Sequence, residues 1–268
     1  MPRKATPIPM ITLHSDGPLA SLHICRAEKK NALNTAMWQQ LLGHCQTLAQ
    51  QVHDTPAAAP RVLLLRGEPG AFCAGADIDE MSALVQDAAA LADNNRIVAQ
   101  AQLALERLPL PTLAVIDGPC FGGGFGLAAA CDFRLGSGRS RFAITPARLG
   151  LLYSIEDTRR VVALVGDARA RRMLMRSERL DAAQALAWGV LDALVESEEL
   201  EATALEWAGR LAAQSATSMA GIKATLGWCS GGGAATEAEI RRAFDAAFTG
   251  PDFAEGAQAF LAKRAPKF

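Results

Sequence analysis

The fold is decided by two stretches, FCAGAD at Phe72 to Asp77 and GGGFG at Gly122 to Gly126. Each follows an apolar run typical of a β-strand, RVLLLR at Arg61 to Arg66 and TLAVID at Thr112 to Asp117, and each leads into a helical pattern. Loops of such small residues let the backbone approach a ligand closely. Together they can aim two backbone N–H groups at one acyl carbonyl, whose oxygen gains negative charge during reaction. The pair therefore predicts an oxyanion hole.

Either loop alone would indicate little, because Gly-rich turns between strand and helix usually serve tight packing or phosphate binding. The phosphate-binding interpretations fail on detail. No Gly-Lys-Ser/Thr follows the glycines, which excludes a P-loop, and a GxGxxG spacing with a downstream acid is absent, which excludes a dinucleotide fingerprint.

Four ordered segments resemble the successive signatures of the enoyl-CoA hydratase/isomerase (crotonase) family and cover nearly the whole chain. They are RAEKKNALN at Arg26 to Asn34, AFCAGADIDEM at Ala71 to Met81, DGPCFGGGFGLAAACDF at Asp117 to Phe133 and AEGAQAFLAKRAPKF at Ala254 to Phe268. The resemblance implies an α/β fold of the ClpP/crotonase type, a spiral of ββα units with a C-terminal helical trimerisation region. Residues 1–195 would form the core with the CoA site, and residues 196–268 the helices for oligomerisation and CoA cover.

The same resemblance implies an acyl-CoA thioester substrate and assembly as a homotrimer or a hexamer of two trimers. It implies an oxyanion hole made by the amides of Ala76 and Gly123. The residues that it places at CoA are Arg26, Ala74, Phe260 and Lys263. Because CoA enters as part of the substrate, we expect no separate cofactor.

The composition favours a small-molecule partner over nucleic acid or a membrane. With 27 basic and 28 acidic residues, the chain has no basic field to neutralise many phosphates. Charges interrupt every apolar stretch well before the about 20 residues that a membrane span needs. The leading segment MPRKATPIPMITLHSDG lacks the apolar region and cleavage site of a secretory signal. We therefore expect a short disordered lead and a cytoplasmic protein.

The six cysteines form no CxxC pair and lie mostly among apolar residues, which predicts reduced, buried thiols. Cys73 and Cys120 lie near the predicted site, where a nucleophilic thiolate would need an activating base. All four histidines precede the two loops in sequence, so we favour buried structural cysteines over a Cys–His pair. Nothing resembles HExxH or a Cys/His cluster, so we expect no metal site.

Hydrophobic periodicity predicts the elements that surround the loops. The stretch from Ile11 to Cys25 alternates around a central turn, which indicates a hairpin, and Thr35 to Val52 has the pattern of a helix. A second helical pattern, which allows an interruption, begins near Ile78 or Ser82 and reaches about residue 106. After about Ser154 the composition predicts a helical second lobe.

The positions that carry glutamates in the hydratases of this family carry other residues here. One such glutamate follows the triple glycine by two positions and the other follows a proline in the next strand-loop segment; Gly126 and Pro146 occupy these places. Hydration requires activation of a water and delivery of a proton to Cα. Glycine and proline cannot transfer protons, so ordinary hydratase chemistry is not expected.

The segment FAITPARLGLLYS, Phe142 to Ser154, is similar to that of the methylmalonyl-CoA decarboxylases of the family, in which a Thr-Pro-Ala motif and a downstream Tyr line the site. The similarity implies site roles for Thr145 and Tyr153. The alternative for Tyr153, the only tyrosine, is a core residue whose hydroxyl bonds to backbone. One departure is Ala76, where the decarboxylase has a histidine.

Four acidic side chains near the loops need an interpretation. Glu156 stays the candidate acid or base. Ser154 to Asp157 resembles a capping box, with Ser154 as N-cap and Asp157 at the third helical position, so we assign Asp157 to the cap. Asp77 and Asp132 adjoin strand or helix ends, where a carboxylate is expected to accept backbone N–H bonds.

The favoured reaction is decarboxylation of a malonyl-type CoA ester. Loss of CO₂ creates the thioester enolate without a strong general base, so of the reactions considered it depends least on the missing glutamates. Isomerisation of an enoyl-CoA through Glu156 is second and atypical hydration third. An alternative of a different class is a binding subunit that keeps the CoA site without catalysis.

Overall fold

The computed structural model describes residues 10–268, in which strands form a six-stranded and a three-stranded sheet. The six-stranded sheet has the order β1-β2-β3-β4-β6-β9, and only β1 and β2 are antiparallel. The smaller sheet has the order β5-β7-β8. The strands are β1 (Ile11–Asp16), β2 (Leu19–Ile24), β3 (Val62–Gly67), β4 (Thr112–Ile116), β5 (Pro119–Phe121), β6 (Phe133–Ser137), β7 (Arg141–Ala143), β8 (Leu180–Asp181) and β9 (Ala193–Val195). Most of the expected N-terminal lead lies outside the described residues.

Ten α-helices lie in the described range. They are α1 (Thr35–Asp54), α2 (Ile78–Leu84), α3 (Ala88–Glu106), α4 (Gly123–Ala130), α5 (Ile155–Met175), α6 (Ala182–Trp188), α7 (Leu200–Ala212), α8 (Ala216–Cys229), α9 (Glu237–Ala247) and α10 (Pro251–Leu261). Within residues 10–268, none of these helices combines the length and apolar character that crossing a bilayer requires.

The predicted local elements are present. The hairpin pairs Ile11 with Ile24. Helix α1 begins after Asn34, whose side chain accepts a hydrogen bond from the Met37 N–H at 2.9 Å. The long helical pattern is divided into α2 and α3, because Asp87 caps a new helix by accepting from the backbone N–H groups of Ala89 and Ala90.

The region after Ser154 contains six of the helices, as predicted, together with two short strands that were not predicted. Strand β9 extends the central sheet beside β6, and β8 pairs with β7. Strands of two or three residues are too short to show a periodicity in the sequence, so whether they form depends on the strands with which they pair. Helix α7 packs Ala204 and Ala208 on the sheet face that carries Leu64 and Leu113.

Helix α4 is almost wholly apolar and is buried along its length. Parallel sheets need cover on both faces, and α1, α3 and α4 belong to the large core on the face opposite α7. Burying α4 fixes its first residue, Gly123, beyond the carboxyl end of β4. Because β3 and β4 are parallel neighbours, the loops that follow them leave the same edge of the sheet.

Candidate active site

The two small-residue loops are hydrogen-bonded to each other. Cys73 and Cys120 form a parallel bridge between them. The Cys73 N–H donates to the Pro119 carbonyl at 3.0 Å, and the Phe121 N–H donates to the Cys73 carbonyl at 2.9 Å. The structure thus brings together the two loops that the sequence singled out.

The amide of Ala76 faces away from its neighbouring segment. Leu33 bridges Ala76 in parallel, with the Leu33 N–H donating to Gly75 O at 2.8 Å and the Asp77 N–H donating to Leu33 O at 2.9 Å. In a parallel pair, the residue between two such bonds turns its own N–H to the opposite side. The Ala76 N–H is therefore directed away from Leu33.

The amide of Gly123 is at the start of α4, where N–H groups have no acceptor within the helix and the helix dipole is positive. Gly122 precedes it with φ +50° and ψ −114°, a conformation that favours glycine. The Gly122 N–H donates to Ala143 O at 2.9 Å, which fixes the entry into the helix.

The two donor segments lie against each other. A Cβ placed on Gly75 would lie 3.5 Å from the Gly123 nitrogen and 3.0 Å from the Phe121 carbonyl oxygen. A Cβ on Gly124 would lie 2.3 Å from the Cys73 carbonyl oxygen. Only residues without side chains allow this approach, which supports the predicted oxyanion hole of Ala76 and Gly123.

Thr145 and Tyr153 lie beside the same loop. The Tyr153 hydroxyl donates to the Gly122 carbonyl at 2.9 Å, and its half-buried ring packs on the large core. This is the backbone contact that the alternative interpretation expected. Thr145 lies two residues beyond Ala143, the acceptor of the Gly122 amide. Burial raises the pKa of Tyr153 well above its usual value, so the hydroxyl stays protonated.

The cap predicted at Ser154 is present, but the Asp157 carboxylate does not complete a capping box. Ser154 does cap α5, accepting from the Asp157 N–H at 3.0 Å. The Asp157 carboxylate instead accepts from Arg160 Nη1 at 2.8 Å. A buried carboxylate without a charged partner would destabilise the fold more than a helix end without a second cap. Glu156 lies half-buried on the same turn of α5.

The space beside Gly126 is already filled by two polar side chains. A Cβ at this position would lie 2.6 Å from Asp157 Oδ1 and 2.5 Å from Gln102 Nε2. The other non-acidic position, Pro146, begins a short 3-10 helix, Pro146–Leu149. The absence of a carboxylate at position 126 therefore fits the packing around it.

Arg26 and Ala74 hold the first loop in place. Arg26 Nη2 contacts Asp77 Oδ2 at 2.6 Å, and Arg26 Nη1 donates to the Ala32 carbonyl at 3.1 Å. The Ala74 N–H donates to Lys30 O at 3.0 Å. Asp77 also accepts from the Asp79 N–H at 3.0 Å, the backbone role expected for it.

Asp132 has the expected backbone role as well. Its carboxylate accepts from the Thr112 N–H at 2.8 Å, and Lys223 Nζ lies 2.7 Å from the same oxygen. Asp132 therefore joins the start of β4 to α8.

Phe260 and Lys263 lie in a different part of the chain. Phe260 is exposed on α10 and lines an apolar groove of about 710 Å³ between α8, α9 and α10. No residue of the two loops lines this groove. Within one chain the structure does not bring these two residues to the oxyanion loops, and their contact with CoA stays a prediction.

Sequence reasoning missed Asn31 and Gln102. Asn31 is fully buried with φ +57°, and its amide donates to Ala71 O at 2.7 Å and to Glu68 O at 3.0 Å. Its side-chain oxygen accepts from the Arg26 N–H. The only signal for Asn31 is the tolerance of asparagine for a left-handed turn. Gln102 lies within the amphipathic α3 and gave no signal.

The cysteines near the loops are structural. Cys73 and Cys120 are fully buried, and burial raises the pKa of the Cys73 thiol to about 12 and that of Cys120 well above its usual value. Both thiols are neutral at physiological pH and lack nucleophilic character. Residues 10–268 contain no group of three or more His, Cys, Asp or Glu placed to hold a metal ion.

Known proteins are similar in sequence to most of this chain. The sequence profile described as Enoyl-CoA hydratase/isomerase matches residues 15–268. A Mycobacterium tuberculosis protein named "Probable enoyl-CoA hydratase echA6" is 30% identical over 261 residues, covering 97% of this chain and 99% of that protein. The "Enoyl-CoA isomerase/hydratase fer4" of Mycosarcoma maydis is 36% identical over 174 residues, 62% of this chain and 61% of that protein.

Solved structures share the fold over nearly the whole chain. An enoyl-CoA hydratase/isomerase family protein from Hyphomonas neptunium superposes with a TM-score of 0.89 at 33% identity, covering 99% of both chains. An enoyl-CoA hydratase from Bacillus anthracis gives a TM-score of 0.85 at 25% identity, covering 97% of this chain and 98% of that one. The fold and site define an enzyme that acts on acyl-CoA thioesters. The chain belongs to the enoyl-CoA hydratase/isomerase family, and its fold is the predicted crotonase fold.

Proposed function

We propose that this enzyme decarboxylates a malonyl-type CoA thioester. The observation that carries the proposal is the combination of two directed backbone amides, at Ala76 and Gly123, with positions 126 and 146 that hold Gly and Pro. The amides stabilise the thioester enolate. No base is needed to form it, because the pair of electrons from the breaking C–C bond becomes the enolate pair as CO₂ leaves.

Tyr153 and Thr145 orient the departing carboxylate. The breaking bond must stand perpendicular to the thioester plane so that its electrons overlap the carbonyl π system. The Tyr153 hydroxyl is fixed on Gly122, next to the Gly123 donor. A shift of this hydroxyl from the backbone carbonyl to a substrate carboxylate exchanges a neutral hydrogen bond for a stronger charge-assisted one.

The remaining binding roles follow the family resemblance. We assign Arg26 and Ala74 to the CoA side of the first loop, and Phe260 and Lys263 to a CoA contact made in a trimer or hexamer. Residues 196–268 provide the oligomer contacts, and no cofactor besides substrate CoA takes part.

Isomerisation of an enoyl-CoA is the second candidate. The name of the Mycosarcoma maydis relative includes isomerase, and two acids of α5, Glu156 and Asp157, can serve a proton transfer. Of the two, Asp157 lies directly beside Gly126.

The oxyanion hole is tested by comparing Gly123→Pro with Gly123→Ala. Both variants add a Cβ, which would lie 3.4 Å from Trp38, an ordinary contact, and proline is tolerated at the first position of a helix. Only proline removes the N–H, so its kcat should be about 10²-fold below that of the alanine variant. Equal turnover by the two variants would show that the Gly123 N–H is not a donor of the oxyanion hole.

The reaction is tested by offering wild-type enzyme malonyl-CoA, methylmalonyl-CoA and crotonyl-CoA separately. We expect CO₂ release from one of the first two substrates and slow hydration of the third. Fast hydration without CO₂ release would show that other groups replace the glutamates. Tight CoA binding with no turnover on an acyl-CoA panel would favour a binding subunit.

A further inference from the structure

Two buried polar groups converge on the space beside Gly126. Asp157 is 5% exposed and Gln102 is 2% exposed. Both lie within 2.6 Å of the point where a side chain at position 126 would begin. Asp157 Oδ1 and Gln102 Nε2 therefore fill the space that a side chain at position 126 would occupy.

The spacing of residues along α4 relates the Asp157 carboxylate to the Gly123 amide. Gly126 and Gly123 are three residues apart on α4, which separates neighbouring positions by about 5–6 Å. In a thioester whose oxygen accepts from the Gly123 amide, Cα lies two covalent bonds beyond that oxygen. A side chain at position 126 would point toward Asp157 Oδ1, so the Asp157 carboxylate takes the place of such a side chain near the Gly123 amide.

The charges around Asp157 suit a group that gains and loses a proton. Arg160 bonds one carboxylate oxygen, Oδ1, and is itself held by Glu106 Oε2 at 2.6 Å. Tyr153, two residues before α5, also faces Asp157. Burial raises the pKa of Asp157 above its usual value, although the charge of Arg160 opposes this shift. Both protonation states are thereby brought closer in energy.

We propose that Asp157 is the catalytic residue that transfers the proton at the acyl Cα, replacing the carboxylate absent from position 126. This proposal rests on enolate stabilisation by the site proposed above. After CO₂ leaves, protonated Asp157 gives its proton to Cα, the enolate pair forms the new C–H bond, and the resulting carboxylate regains a proton from water. In reverse, the carboxylate removes a proton from Cα and the electron pair moves onto the thioester oxygen.

The reverse step permits a test that does not depend on decarboxylation. Propionyl-CoA carries no carboxylate to lose, so wild-type enzyme in D₂O should exchange its α-protons, which mass spectrometry follows. Asp157→Asn keeps the shape of the side chain and should lower this exchange at least about 100-fold. The control is Asp167→Asn, the same change at an exposed aspartate on α5 that pairs only with Arg171.

CO₂ release from malonyl-CoA separates the two proposals. Wild-type CO₂ release without α-proton exchange would overturn the role of Asp157 and leave decarboxylation standing. Exchange lost in Asp157→Asn, with no CO₂ release by wild type, would support Asp157 and overturn decarboxylation.

The pH profile of wild-type exchange provides a measurement that does not require a folded variant. The rate should rise with pH as Asp157 ionises and level off above its pKa. A profile without this rise between about pH 3 and pH 7, where carboxyl groups titrate, would overturn the proposal. Unchanged exchange by a folded Asp157→Asn protein would do the same.

Discussion

The close approach of the two loops predicts that Gly124→Ala damages the site although residue 124 is not one of the proposed donors. The added Cβ would lie 2.3 Å from the carbonyl oxygen and 2.7 Å from the Cβ of Cys73. Nonbonded carbons and oxygens rest near 3.5 Å, so Cys73 or α4 must move by roughly 1 Å. The obstructing carbonyl is backbone and cannot escape by a change of rotamer.

The expected magnitudes follow from this displacement. Overpacking of this kind costs about 3 kcal/mol at the upper end of its usual range, and the helical preference of alanine returns up to about 1 kcal/mol. We expect a net loss of about 2 kcal/mol in the free energy of unfolding. A 1 Å displacement of one donor loop relative to the other should lower kcat by about 10²-fold.

The matched control is Gly43→Ala. Gly43 is exposed within α1 and a Cβ there meets nothing within 4 Å, so the variant should gain about 1 kcal/mol. Urea unfolding measures both stabilities, and turnover of the acyl-CoA substrate found for wild type measures the rates. Gly124→Ala turnover within twofold of Gly43→Ala would refute the inference that loop contact sets the geometry of the donors.

Three further predictions concern other contacts. Tyr153→Phe loses the hydrogen bond to Gly122 and should lower the free energy of unfolding in urea by about 1 kcal/mol. The rate of CO₂ release should fall by more than this small loss of stability accounts for, while CoA still binds. A rate equal to that of wild type would show that Tyr153 takes no part in the reaction. Burial alone would raise the pKa of Glu106, but Arg160 and Arg159 hold this pKa below its usual value. The stability that ionised Glu106 provides is therefore present above about pH 4.3 and is lost as the pH falls through the lowered pKa. Glu106→Gln should cost about 3 kcal/mol at pH 7 and less at pH 3, and a cost independent of pH would contradict this assignment. Deletion of Ala259 to Phe268 should weaken CoA binding and reduce the oligomer mass measured by light scattering, whereas unchanged affinity and mass would exclude the C-terminal segment from both roles.

Much of the fold and the two donor loops could be predicted from the sequence because their signals are local. The alternating hairpin, the helix capped by Asn34 and the small-residue loops after β3 and β4 each depend on neighbours a few residues away. The presence at positions 126 and 146 of Gly and Pro, which cannot transfer protons, is likewise visible in the sequence alone.

The tertiary structure alone decided which side chains meet beside those loops. Asp157 looked like a cap because its spacing from Ser154 suits one, yet burial beside Arg160 gives its carboxylate a stronger partner. Gln102 and Asp157 are 55 positions apart in sequence numbering, and only the packing of α3 and α5 against α4 brings both to Gly126. Strands β8 and β9 are too short to show periodicity, so their pairing partners decide them. Sequence therefore determined the two small-residue loops, which depend on local conformation, whereas the polar surroundings of those loops depend on contacts between distant elements.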